Sequence, residues 1–538
     1  MSAAAPASVL AVMSLLPLTC TREAGAPNQT EPAPRAGRAR SGPGRCGNGR
    51  VVARERAGRG RADHGGGAAE RAGRAGRSEL RRPAVPRSHR GRRVDRVRVP
   101  AGSMDGLRDA IASSDRSKPT RITLAAGSYR GQCLYVEDHM RTAAAPLWIR
   151  GEGEVQIDCT DGNGQAIAFD HVAYVALEHV TIGPARGYYG DSAVHIAGKP
   201  IDPTNRASHG RWDVSHHVIV RDVTARNLNR GPDGDGDPDG YESGCCDGIK
   251  VNQAQHIWLL GNHISRTARH GIDNVGVHDL FVCDNLLEDM VGTGVGIEAK
   301  GGSENVLFEG NVIVRARHRG FMLGGEGSGN VYMWPVEADY EGRNQVARNN
   351  IVVNAAEAGF GFFGCHDCVA SHNTVWVTAD YGVGDRDMLR AYNSIIEGGD
   401  DYWGPARRVG EVLRNRNNLA IGNLLGTAGG GMTCPLNANP DSVDGLRLVG
   451  NLWWNGGKPL PECGEGKTSV VSTRDASSFY GDRDPQVTAA GSTRARPDLR
   501  PKAGSPLVGA GAPGEHAPRV DQRRRARPER PSVGALEP

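Results

Sequence analysis

The sequence is poor in the material of a globular core: 538 residues carry only eight phenylalanines. It also lacks helical periodicity. Its apolar runs are short, β-branched and bounded by Gly, Asn and Asp, which is the pattern of strands. No apolar run is long enough to span a bilayer, which takes about 20 residues. The best candidate, the N-terminal "MSAAAPASVLAVMSLLPLTC", has an apolar core only about half that length and no positive charge before it. Residues 1–20 are read as a signal peptide, so the expected destination is extracellular or the cell surface; Cys20 follows Pro17, where a lipidation signal usually has leucine. Lysine is missing from residues 31–100, where 20 arginines face 6 acids. Such a stretch buries nothing and is expected to be disordered over 21–103. It is read as a low-complexity linker, with no nucleic-acid partner expected. Arginine without lysine also suits a GC-rich gene read out of frame, and the arginine run at 523–527 raises the same question.

What is abundant is glycine, 75 residues, and it recurs in register. "GIKV" from Gly248, "GIDNV" from Gly271, "GIEAK" from Gly296, "GFML" from Gly320 and "GFGFF" from Gly359 share one unit, spaced 23, 25, 24 and 39 residues apart. A second series keeps step with it: Asn262, Asn285, Asn311, Asn350, Asn373, Asn393, Asn418 and Asn451, each between two short apolar strands. One such unit cannot bury its own apolar face, so the units must stack. The expected architecture is all-β, a parallel β-helix solenoid with coils about 4.8 Å apart and like residues in ladders. The asparagines are expected to be structural, their amides satisfying one another in turns.

From about 104 to 513 the chain resembles the right-handed parallel β-helix proteins of the pectin-lyase-like superfamily. The resemblance covers "DGLRDAIASS", "RITLAAGSYRG", "PLWIRGEGEVQID" and "VAYVALEHVTIG" at the front, and "DLRPKAGSPLVGAG" with the terminal "VGALEP" at the back. It implies a right-handed β-helix over 104–513, a C-terminal tail over 514–538 and a monomer. It does not imply a chemistry, because one fold hosts many.

Alternation along the glycine-headed strands places Ile249, Ile272, Ile297 and Phe321 inside, with Val251, Ala299 and Leu323. Lys250, Asp273, Glu298 and Met322 then point outward, and Asn252, Val275, Lys300 and Gly324 form the next outward row. Lys250, Asp273, Glu298 and Lys300 thus form a charged column on one exposed face, with His270 and Asn252 beside it as expected substrate contacts. Two carboxylates so close repel, so either one keeps its proton or a cation lies between them. Upstream, Asp235-x-Asp237-x-Asp239-Gly240 matches the first half of a calcium loop, although Cys246 stands where the twelfth-position Glu belongs.

"GIEAKGGSENVLFEGN" resembles the chondroitinase-B and alginate-lyase type, in which a strand ends in a lysine and an asparagine-ladder strand follows. The resemblance implies calcium-assisted β-elimination of an acidic polysaccharide. Lys300 would be the base, Lys250 and Arg319 would assist, and Asp235, Asp237, Asp239, Asp273 and Glu298 would hold Ca2+. Where that family has glutamates before the lysine this chain has Val295 and Thr293, and its partner arginine falls near Phe321, with Arg319 the nearest candidate. Two other functions compete: a glycoside hydrolase using Asp273 and Glu298 as its acid pair, and a surface protein that binds glycan without turnover.

Eleven cysteines suit an exported chain. Cys133 with Cys159 and Cys434 with Cys463 are plausible pairs. Cys365 and Cys368 read as a disulfide stapling a turn, since no second pair stands at zinc spacing. Cys245 or Cys246 is placed to reach Cys283.

Overall fold

The computed structural model describes residues 94–159, 165–183, 192–201, 211–228, 247–291, 294–382, 384–397, 408–464, 477–490, 497–514 and 516–538. The expected signal peptide, Cys20, nearly all of the arginine-rich segment, Asp235, Asp237, Asp239, Cys245 and Cys246 lie outside these residues.

The glycine-headed units fold into strands that pair in parallel with the equivalent strand of the next unit. Ile249 lies beside Ile272, Ile272 beside Ile297, Ile297 beside Phe321, Phe321 beside Phe360 and Phe360 beside Leu389. All six are fully buried, and the rings of Phe321 and Phe360 stack 5.0 Å apart. The other sides of each coil repeat the pattern, as in Ile257–Leu280–Val306 and Ile264–Leu287–Ile313. Sequence neighbours therefore pair one turn away, always in the same sense. The fold is a right-handed parallel β-helix.

The asparagine ladder runs along one corner of the β-helix. Asn262, Asn285, Asn311, Asn350, Asn373, Asn423 and Asn451 each receive a backbone N–H on Oδ1 or pass one on, and each amide up to Asn423 donates to the next side-chain oxygen at 2.9–3.0 Å. The residue before each asparagine has a left-handed backbone, from Gly261 at φ 63° to His372 at φ 51°. This explains the Gly, Asp or Asn that usually stands there. Asn393 and Asn418, expected in this ladder, are not part of it. After the regular coil strand Asp387–Tyr392 the chain adds an antiparallel pair, Ser394–Glu397 with Val412–Leu413, so the next corner comes 50 residues later at Asn423. Asn418 instead caps Cys368, accepting its N–H at 3.0 Å.

Coils begin earlier than expected. Strand Asp95–Val99 pairs in parallel with Thr120–Gly131, inside the stretch read as disordered to 103. Its Val97 and Val99 alternate with Arg96 and Arg98, a pattern hidden within the arginine run. Helix Met104–Ala112, the sole α-helix among the described residues, then closes the end of the core with Met104, Leu107 and Ile111. Ser103 caps it by accepting the Asp105 N–H at 3.0 Å. No described helix is long and apolar enough to cross a membrane.

The C-terminal arginines have partners. Arg524 pairs with Asp284 and Glu309, Arg525 with Asp521 at 2.9 Å, and Arg527 with Glu537 at 2.5 Å. Val533, Ala535 and Leu536 are buried against a cluster that includes Trp376, Leu424 and Leu452. Arg524 thus reaches acids on two other coils, while Arg525 and Arg527 pair within the C-terminal segment. Three expected disulfides are present, Cys133–Cys159, Cys365–Cys368 and Cys434–Cys463, with Cα atoms 5.0, 6.1 and 5.0 Å apart. Cys283 is buried.

Candidate functional site

Three successive coils bring the expected column together. Lys250 comes from strand Asp247–Leu260, Asp273 from Ile272–Cys283, and Glu298 and Lys300 from Ile297–Lys300. The register is the expected one: Lys250 beside Asp273, Asp273 beside Glu298, Val275 beside Lys300. Lys250 Nζ donates to Asp273 Oδ2 at 2.7 Å and lies 3.4 Å from Asp247 Oδ2. Lys300 Nζ donates to Glu298 Oε1 at 2.6 Å and lies 3.7 Å from Asp273 Oδ1.

The column is not an exposed face, and this corrects the expectation. The side chains of Asp273 and Glu298 are 1% exposed and those of the lysines 15%. Solvent therefore reaches the two lysine side chains in part and the carboxylate pair hardly at all. A surface ion pair worth a few tenths of a kcal/mol does not describe this arrangement.

Burial opposes the charge on Asp273, but Lys250 and Lys300 outweigh it and hold that carboxyl well below the usual range. Glu298 goes the other way. Burial dominates, Lys300 only partly offsets it, the neighbouring Asp273 charge adds to it, and its carboxyl is pushed up to about 8. The two carboxyls thus divide into an ionised one and one protonated at neutral pH, the pattern of an acid–base pair. Burial works against the charge of Lys300, but Asp273 and Glu298 outweigh it and raise its affinity for protons. The carboxylates beside Lys300 therefore hold its proton on, the opposite of what a base requires.

His270, expected to touch substrate, lies beneath the lysines. Its ring is 7% exposed, with Nε2 3.5 Å from Glu298 Oε1. Burial, then Arg269, lowers its proton affinity well below that of free histidine. Nδ1 accepts the Val295 N–H at 3.2 Å, so the ring proton sits on Nε2 and faces the carboxylates. Asn252 lies in the next row, its amide 3.1 Å from His195 Nε2. Arg319 is elsewhere: 2% exposed, it pairs with Glu326 at 2.5 Å and Glu357 at 2.8 Å and lies over the ring of Phe363. Nothing in the described residues joins its guanidinium to Lys300.

One donor atom each from His270, Asp273 and Glu298 lies within 4.8 Å of the others, close enough for one ion. His270 Nε2 and Asp273 Oδ1 are both buried without a hydrogen-bond partner. The chemistry of the set nevertheless suits calcium poorly. Calcium takes six to eight oxygens, whereas this set has two carboxylates, each already held by a lysine, and an imidazole with an N–H aimed inward.

Residues that the sequence argument missed support the column from behind. Asp247, 1% exposed, accepts the His270 N–H at 2.9 Å. Asn274 points into the core between Val251 and Ala299 and donates to the Glu298 carbonyl at 2.7 Å. An asparagine in an otherwise apolar inward row is the signal that was available. Asp247, which immediately precedes a glycine-headed strand, carried none.

No family model matches this sequence, and no curated protein matches it. Solved structures similar to it include the A-module of a mannuronan C-5 epimerase from Azotobacter vinelandii, 14% identical, TM-score 0.41, covering 65% of this chain and 89% of that one. An alginate lyase from Paenibacillus is 11% identical, with TM-score 0.39, over 67% of this chain and 95% of its own. A pectate lyase is 13% identical, with TM-score 0.37, over 83% and 96%. At these identities and scores they say nothing of this chain's chemistry.

Proposed function

We propose that the chain is a polysaccharide lyase that removes a proton beside the carboxylate of an acidic sugar, with Lys300 as base. The observation that carries this is the pair of part-exposed lysines beside two buried carboxyls of opposite proton affinity. Lys250, fixed by Asp273 and Asp247, presents a cation to the substrate carboxylate and makes the adjacent C–H more acidic. Lys300 needs to be neutral to act, and Glu298 supplies the means in those molecules in which it is ionised, a fraction that grows as pH rises toward 8: their 2.6 Å hydrogen bond is then a path for the ammonium proton. The transfer is uphill, because the carboxylates raise the affinity of Lys300 for its proton, but Glu298, pushed up to about 8, is a better acceptor than an ordinary carboxylate. The neutral amine then takes the C–H proton, the carbon–oxygen bond to the next sugar breaks, and the departing oxygen takes a proton from the ammonium so formed. His270 Nε2–H faces Glu298 and stabilises its ionised form.

A glycoside hydrolase fits less well. Its two carboxyls stand about 5–9.5 Å apart with sugar between them, whereas Asp273 and Glu298 are adjacent and covered. In this proposal calcium belongs with Asp235, Asp237 and Asp239, which lie outside the described residues, and not at Asp273 and Glu298. Export to the cell exterior, where such a polymer would be met, is part of the same reading and is consistent with the disulfides. Incubation with uronate-containing polymers tests it: unsaturated ends absorb in the ultraviolet, while hydrolysis gives reducing ends without that absorbance. Binding without either product would favour a glycan-binding role.

A further inference from the structure

We propose that Glu341 is the positioning residue of Lys300, acting through the backbone turn that follows it. Three consecutive N–H groups after Lys300 point at this one residue. Gly301 N–H donates to Glu341 Oε2 at 2.6 Å, and Gly302 and Ser303 N–H donate to its carbonyl oxygen at 2.9 and 3.1 Å. Ser303 Oγ closes the turn by donating to the Lys300 carbonyl at 2.6 Å. Glu341 is fully buried, and two more segments fix its carboxylate: Ser328 Oγ donates at 2.6 Å and Ser394 Oγ at 3.3 Å.

The residue belongs to an insertion, 325–341, which accounts for the one long spacing in the glycine series. Both ends and the tip of this insertion meet the coils that carry the column. At its start, Gly325 lies so near the Lys300 stem that a Cβ there would come within 2.6 Å of Lys300 Cβ. At its tip, Trp334 N–H donates to the Gly301 carbonyl at 2.9 Å, and its ring stacks on His278 at 4.0 Å. Tyr332 accepts from Gln253 Nε2 at 2.8 Å. Gly276 and Gly301, both with positive φ, leave room for that approach: a Cβ on either would crowd the Tyr332 carbonyl. A solenoid needs no such insertion to stack its coils. This one closes around the turn that sets where the Lys300 ammonium points.

The inference rests on Lys300 being the reacting group, so its test includes a readout independent of turnover. Glu341→Ala and Glu341→Gln are compared with wild type for the rate at which an amine acylating reagent modifies Lys300, followed by peptide mass mapping, and for kcat and KM on a uronate polymer. Glu341→Ala is expected to speed acylation by about tenfold, because the turn opens locally. The same variant should lower kcat roughly ten- to a hundredfold with KM little changed, as misplacement of a reacting group does. Glu341→Gln, which still accepts the Gly301 N–H, should restore most of both. If Glu341→Ala fails to fold, Ser328→Ala, which frees one side of the carboxylate, should shift acylation the same way by about threefold. Loss of thermal stability with Lys300 acylation unchanged in the folded variants overturns the proposal. Absence of turnover in wild type with the acylation changes present would overturn the lyase reading and leave Glu341 as the residue that places Lys300.

Discussion

Replacing Glu298 with Gln should change how the stability of the protein depends on pH, and the direction follows from the site. An unfolded glutamate loses its proton near 4.5, whereas folded Glu298 keeps it to about 8. Between those values the folded state binds a proton that the unfolded state does not, so stability falls as pH rises. Below 4.5 both states hold the proton and above 8 neither does, which confines the effect to that window. At about 1.4 kcal/mol per pH unit, the loss across it is roughly 5 kcal/mol. Asp273, held low by the lysines, contributes stability that is lost only as pH drops below the ordinary aspartate range, outside the window. Glutamine keeps the shape and an acceptor for Lys300 but cannot ionise, so the difference between the two proteins isolates this proton. The variant should match wild type at about pH 5 and exceed it by several kcal/mol at about pH 8.5. Urea unfolding followed by tryptophan fluorescence gives the free energies by linear extrapolation, with coincident probes required for a two-state treatment. Parallel pH profiles for the two proteins would refute the assignment of the shared proton to Glu298.

Other expectations are more local. Asn311→Leu removes the bonds that Asn311 makes to the Asn285 N–H, one Asn285 amide proton and the Val282 carbonyl, all buried; at about 1–3 kcal/mol each, the cost is roughly 3–9 kcal/mol, read as a lowered urea midpoint. Lys300→Met should cost roughly 2–4 kcal/mol at about pH 8.5 and less at about pH 5, because Glu298 can then meet the loss by holding its proton; equal stability to wild type at both would show that the pair is solvated. Arg527→Ala strands Glu537 among buried residues and should lower the melting temperature as much as a core truncation, roughly 2–4 kcal/mol; an unchanged melting temperature would mean that the C-terminal strap adds no stability.

The coil core, the asparagine ladder and the relative placing of Lys250, Asp273, Glu298 and Lys300 were legible because they depend on repeat spacing and alternation alone. Both are local properties that stacking turns into contacts. Depth was not legible: alternation says that Glu298 leaves the core, not that other groups then cover it, so its high proton affinity could not be read from the strand. Arg319 was misplaced because a resemblance supplied a position one coil on, while the acids that hold it, Glu326 and Glu357, come from an insertion and from the next coil. Asn423 was missed because an added strand pair broke the period at the point where counting had to continue. Glu341 had no pattern at all, being a lone acid at the end of an irregular segment whose three backbone partners exist only once the insertion has folded back.

The most direct measurement is the ultraviolet absorbance of unsaturated product when wild type, Lys300→Met and Glu298→Gln are each given uronate polymers with confirmed folding at about pH 8.5, where Glu298 is ionised. A lyase with Lys300 as base and Glu298 as its proton acceptor should give product with wild type, none with Lys300→Met, and a rate lowered by roughly a hundredfold or more with Glu298→Gln. Wild-type rates from a folded Lys300→Met protein would contradict the account.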